Sequence, residues 1–237
     1  DSKMPIKSKI RESAVEAMGL IDSVHGDGTL KKIPIKVTKS RSLLGVFHSY
    51  LTGVAVDIAL TGRDHPVMTA LHEIGHFIDN GAWAGPDSGG STRWGLSSTR
   101  THLPKDFEAA KQNLQIALSG TATLKHLMEA RSGKIADETF EIPMSSGKGM
   151  VKTTVSVQRA RISYLLDTKE IFARAYSQYI AVKTKNPKAL AELHAEQAAK
   201  KENSPSGFFA KNHPTVWEDD EFAPVVTAFD NLFSSMG

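Results

Sequence analysis

Met68-Thr69-Ala70-Leu71-His72-Glu73-Ile74-Gly75-His76-Phe77-Ile78-Asp79-Asn80 is the stretch from which the rest of the chain is read. It contains His-Glu-x-x-His. Residues four apart on a helix lie on one face, so His72 and His76 can aim two imidazoles at one point, as a tetrahedral zinc requires of two ligands. Glu73, one step round, can take a proton from a water at the open position. Val67, Leu71, Ile74 and Ile78 give an apolar stripe at helical spacing. Asp64 and Pro66 supply a start signal and Asn80-Gly81 a stop. The plain alternative is two histidines on an ordinary amphipathic helix.

Ahead of this helix the pattern changes period. Ile33, Ile35 and Val37 alternate with polar residues, and Leu43 to Phe47 and Gly53 to Leu60 are two further strand candidates. The alternation predicts Val54, Val56, Ile58 and Leu60 on one face. The edge of such a sheet could hold an extended peptide by main-chain hydrogen bonds; a plain core sheet is the other reading. Residues 7 to 22 read as a surface helix with Ile10, Ala14, Ala17 and Ile21 on one side, broken at His25-Gly26-Asp27-Gly28. The basic run Leu30 to Arg41 reads as the solvated face of a strand in preference to a nucleic-acid contact.

Beyond the helix, Gly81 to Thr92 is a glycine- and serine-rich loop, a flap or a connector. Residues 104 to 131 predict two helices broken near Ser119-Gly120, with stripes Phe107, Ala110, Leu114, Leu118 and then Leu124, Leu127, Met128. Thr139 to Ile142 and Met150 to Val157 predict a hairpin. Helices follow at about Thr168 to Val182 and 184 to 201, then a loop at Glu202 to Gly207, and Trp217 to Phe233 carries enough apolar surface to dock as a last helix. The expected class is α+β: a small mixed sheet beside an active-site helix, followed by a mostly helical C-terminal part. Residues 1–42 form an N-terminal helix and strand that could act as a tether, and residues 43–237 the main domain.

Composition bounds the chemistry. The 237 residues suffice for one sizeable core, and 40% hydrophobic with 23% charged residues reads as a soluble globular chain. There is no cysteine, so a zinc site must use histidine and carboxylate. The net charge of +3 gives nucleic acid little to grip. No apolar run reaches the length of a membrane span. Asp1-Ser2-Lys3-Met4-Pro5 does not read as a signal peptide and lacks an initiator Met, as a fragment or trimmed chain would.

Two histidines and a water leave one coordination position. A third histidine two turns on is excluded, since Asp79 and Ala82 stand where that pattern needs Gly and His. The best remaining candidate is Glu170, in Asp167-Thr168-Lys169-Glu170-Ile171-Phe172-Ala173-Arg174-Ala175-Tyr176. The small Ala173 and Ser177 would let this helix come close to the first. Two other readings stay open: Asp167 with Glu170 is a capping-box-like pair, and Glu170 with Arg174 is an ordinary i,i+4 ion pair.

Leu71-His72-Glu73-Ile74-Gly75-His76 followed by Glu170-Ile171-Phe172-Ala173-Arg174-Ala175-Tyr176 resembles the gluzincins, zinc metallopeptidases whose third ligand is a Glu on a second helix. It is similar to the lethal-factor-like group and to phage and prophage zincin-like domains associated with Mu-type head morphogenesis proteins. The resemblance covers roughly residues 43 to 80 and 160 to 182, with a weaker likeness in the acidic-aromatic tail. It implies a zincin-like fold, Zn2+ held by His72, His76 and Glu170, Glu73 as general base, and Tyr164 as oxyanion stabiliser, with Tyr176 as its rival. Asp79 could accept a hydrogen bond from a ligand histidine or simply end the helix. The implied activity is zinc-dependent endopeptidase hydrolysis of a protein or peptide. Phage structural proteins are possible partners, with no membrane, and the setting would be the cytoplasm or a phage particle. The competing expectations are a non-catalytic phage structural module that retains the fold, and a secreted or injected protease toxin.

Overall fold

The computed structural model describes residues 9–26, 34–37, 44–49, 55–61, 64–82, 105–144 and 149–235. At its centre is α2 (Pro66–Phe77), which buries Val67, Leu71 and Ile74 as the stripe predicts, and Met68 besides. It starts at Pro66, as expected, but Asp64 does not cap it. The residue before Pro66 is His65, in the left-handed region at φ 50°, and no side chain next to it in sequence caps the helix. Glu192 of α7 (Pro187–Ala199) does so from 125 residues away: its carboxylate accepts from the Val67 N–H at 3.0 Å and the Met68 N–H at 2.8 Å. A carboxylate there satisfies orphan donors and complements the helix dipole. At the other end the helix does not stop at Asn80-Gly81 but widens into a π-helical turn, Ile78–Ala82.

The sheet is small and mixed. β1 (Ile35–Val37), β2 (Gly45–Ser49) and β3 (Ala55–Leu60) lie in the order β1-β3-β2. β1 runs parallel to β3 with Ile35 opposite Ile58, and β2 runs antiparallel with Phe47 opposite Ile58, its register shifting between His48 and Ser49. Among the described residues β2 is therefore an edge strand. Ile58, Ala59 and Leu60 are all buried, so both faces at this end of β3 are covered, beyond the single apolar face that alternation suggested. Most of the basic run 30–41, the candidate residues Leu43 and Val54, and most of the 81–92 loop lie outside the described residues.

α6 (Thr168–Thr184) packs along α2. The closest approach is at Gly75: a Cβ there would stand 3.0 Å from the Ala173 Cα and 3.1 Å from its carbonyl oxygen. The absence of one side chain and the smallness of another thus let the two backbones meet. α1 (Lys9–His25) lies across both helices, burying Ala14, Ala17 and Ile21 on the side the sequence assigns to them. α3 (Lys105–Gly120), α4 (Ala122–Arg131) and α9 (Asp219–Ser234) supply much of the remaining core. The stripe Phe107, Ala110, Leu114, Leu118 is buried, but Met128 is 47% exposed. β4 (Glu138–Pro143) and β5 (Met150–Val155) form the expected hairpin. Two short helices were not anticipated: α5 (Arg159–Leu165) and α8 (Pro205–Asn212), the second overlapping the expected loop. The class is α+β, dominated by helix with a small mixed sheet. Among the described residues no helix is long and apolar enough to cross a membrane.

Candidate metal centre

α2 and α6 bring three of the predicted residues to one point. The His72 and His76 Nε2 atoms are 3.1 Å apart. A Glu170 carboxylate oxygen lies 3.5 Å from the first and the other oxygen 3.2 Å from the second. Ligands bound at 2.0–2.1 Å to a tetrahedral ion stand about 3.3–3.4 Å from one another; one ligand atom from each of these residues lies within 4.8 Å of the others, so the three could gather round one ion. Each residue turns one ligand-type atom to the group. The donor set, two imidazoles and a carboxylate, suits a borderline-soft divalent ion.

The remaining readings of Glu170 are resolved by its neighbours. Asp167 does cap α6, accepting from the Lys169 N–H at 2.9 Å. Glu170, however, directs its carboxylate to the histidines. Arg174 does not pair with it and donates instead to main-chain carbonyls.

The electrostatics are those of a buried cluster of coupled charges. Burial raises carboxylate pKa values, but at Glu170 the hydrogen bonds and charges of His72 and His76 outweigh it and hold the group well below its ordinary range. His72 is shifted down, chiefly by burial. His76 is also penalised by burial, but Glu170, Glu73 and Asp79 together carry it above its ordinary value. Glu73, only 5% exposed, is pushed up to about 7 by burial with help from the Glu170 charge, against the opposing pull of His76 and a hydrogen bond from the Phe47 N–H.

A cleft of about 360 Å³ opens beside this cluster, walled by Gly45, Val46 and Phe47 of β2, by Asp79 and Asn80 of the π turn, and by Tyr164 and the start of α6. The Thr61 N–H bonds to the Leu44 carbonyl at 2.9 Å. Alternation along an antiparallel ladder then turns the main-chain groups of Gly45 and Phe47 to the open edge. Glu73 lies against that edge: a Cβ on Gly45 would come within 2.6 Å of its Oε1. Phe47 also stacks beside His76, ring centroids 6.4 Å apart.

Of the two tyrosines, Tyr164 is in the cleft and 48% exposed as a residue. Burial of its hydroxyl, then the charge and hydrogen bond of Glu170, raise the phenol well above its ordinary value. Tyr176 is fully buried among Phe172, Tyr179, Phe229 and Phe233, away from the cleft, as a core aromatic. Asp79 is buried on the π turn, where its charge acts on His76 and Lys111.

Gly45 and Phe47 belong to the site, yet the sequence reading placed them only in a strand. The one signal was a glycine inside the strand candidate Leu43 to Phe47, which often marks close backbone approach. No protein-family model, curated protein or solved structure matches the chain.

Proposed function

We propose that this chain is a zinc metalloendopeptidase of the gluzincin kind, with a zincin-like arrangement of sheet edge, first helix and second helix. One observation carries the reading: two imidazole nitrogens and a carboxylate from separate helices converge within 4.8 Å of one another, beside an open cleft and a buried glutamate. In this reading His72, His76 and Glu170 hold the ion. Zinc, when bound, polarises a carbonyl and lowers the pKa of water toward 7.

The chain's own groups supply the remaining chemistry. Glu73, with a pKa raised to about 7, is matched to accepting a proton from the attacking water and passing it to the leaving amine. The Phe47 N–H and the bare Cα of Gly45 keep its carboxylate against the sheet edge. The Tyr164 hydroxyl, also lining the cleft, stays protonated and, on turning from Glu170, donates to the developing oxyanion. The outward main-chain groups of β2 other than the Phe47 N–H pair with an extended peptide across the cleft. The likeness to phage zincin-like domains makes phage structural proteins the first substrates to try.

The test is digestion of a broad peptide library by zinc-loaded protein, with and without a chelator, beside Glu73→Gln. Cleavage that disappears in both controls is the expected result. An intact library with zinc-loaded wild type would point to a scaffold without turnover.

A further inference from the structure

Arg174 is 5% exposed, yet among the described residues no carboxylate lies in ion-pair contact with it. Its guanidinium donates to three main-chain carbonyls: from Nε to Glu170 at 3.2 Å, from Nη1 to Pro214 at 3.1 Å, and from Nη2 to Leu165. Its Cζ lies 5.5 Å from the Trp217 ring centroid. These carbonyls belong to three separate segments. Leu165 ends α5 next to Tyr164, Glu170 is in the first turn of α6, and Pro214 is in the strap between α8 and α9.

Charge alone does not account for this placement. Burial lowers the Arg174 pKa to about 10, so the fold bears a cost in keeping it. Its positive charge also disfavours a charge on His72, and it repels a metal ion at the same point. What the residue offers in return is geometry. A guanidinium is a planar fork of fixed donors, able to hold several acceptors in set directions, which an ammonium on a flexible stem is not.

We infer that Arg174 is the positioning residue of this site: by tying the end of α5, the first turn of α6 and the strap before α9 to one rigid fork, it sets where Glu170 and Tyr164 stand relative to the two histidines. The inference rests on the metal-site reading above, and it assigns Arg174 no contact with the ion or with substrate.

Charge and geometry predict opposite signs, which makes the inference testable by zinc binding itself. Zinc affinity is measured by competition with a chelating dye for wild type, Arg174→Met and Arg174→Lys. Visible spectra of the cobalt-loaded forms report coordination geometry, and circular dichroism melts of the metal-free forms report folding. Removal of a buried cation would by charge alone tighten zinc binding. Loss of positioning instead weakens it, by about 10–100-fold, as loss of groups supporting metal ligands does, and alters the cobalt spectrum. Should Arg174→Met fail to fold, Arg174→Lys carries the test, since it keeps the charge and loses the fork; weaker binding is again expected. A folded Arg174→Met that binds zinc as tightly as wild type or tighter, or an Arg174→Lys with wild-type affinity and spectrum, overturns the inference. Wild type that takes up no zinc overturns the metal-site reading and this one with it, and is seen before any variant is compared.

Discussion

Two polar clusters are buried against α6, and they are built on opposite terms. Around Trp217 every donor meets an acceptor. Gln178 donates to the Trp217 carbonyl at 3.1 Å and accepts from its N–H at 2.9 Å. Gln197 donates to the same carbonyl at 2.8 Å, and the indole N–H reaches the Thr121 hydroxyl at 3.1 Å. Such a network is closed and specifies packing. Around Glu170 two imidazole nitrogens confront each other at 3.1 Å and share one carboxylate. Which nitrogen carries a proton sets who donates here, and both rings turn their Nε2 atoms to the same carboxylate. The first cluster ties segments of the fold together, and the second gathers three groups of the kind that could hold a metal ion.

The widest gap between them should appear in turnover. Glu73→Gln keeps every metal ligand and removes the proton acceptor, so hydrolysis falls by about 10²–10⁴-fold while zinc uptake persists. Unchanged cleavage in that variant removes Glu73 from the mechanism. Next comes zinc affinity. Glu170→Ala takes away a ligand and weakens binding by more than the roughly 10–100-fold that loss of a supporting group costs. Gln178→Ala, in the closed cluster, does the reverse. It lowers stability by about 1–3 kcal/mol through unsatisfied main-chain groups and leaves zinc affinity as it was. If Gln178→Ala abolished zinc binding, the division between the two clusters would fail.

Between them lies Gly75→Ala. The added methyl meets Ala173 main chain at 3.0 Å and must spread α2 from α6, at a cost of about 1–3 kcal/mol for overpacking. Because the seam also sets the His–Glu spacing, zinc affinity falls with stability here. A melt that drops without any change in zinc binding would show that the seam and the site are independent.

The smallest effect is in pH dependence of the metal-free protein. Glu73 is raised from 4.5 to about 7 on folding. The native state therefore holds a proton that the unfolded chain releases between those values. The associated stability is fully present below about 4.5 and is lost as pH rises through 7. Wild type should lose roughly a few degrees of Tm relative to Glu73→Gln across that interval. Parallel melting curves for the two would place Glu73 in a wetter setting than the one described.

What could be read in advance follows from the range of the interactions. The helix bearing His72 and His76, the helix bearing Glu170 and the hairpin were legible because periodicity and chelating spacing are local. The small residue at Ala173 marked a close contact, and the structure sets Gly75 against it. Other features depend on contacts that local pattern does not encode. The start of α2 is capped by Glu192 from α7, which no reading around Asp64 could supply. Phe47 reaches Glu73 only because β2 is the edge strand, a matter of topology. α8 did have a local signal: Ser204 caps it from the position before Pro205, its hydroxyl accepting from the Gly207 N–H at 3.0 Å. There the glycine and proline content suggested a loop and obscured the cap.

The most direct measurement is an anomalous difference map at the zinc edge from crystals of the zinc-loaded protein. The account predicts a peak about 2.0–2.2 Å from the His72 and His76 Nε2 atoms and a Glu170 carboxylate oxygen, with one further position open to the cleft. A peak bound elsewhere, with those three side chains turned apart, would contradict it.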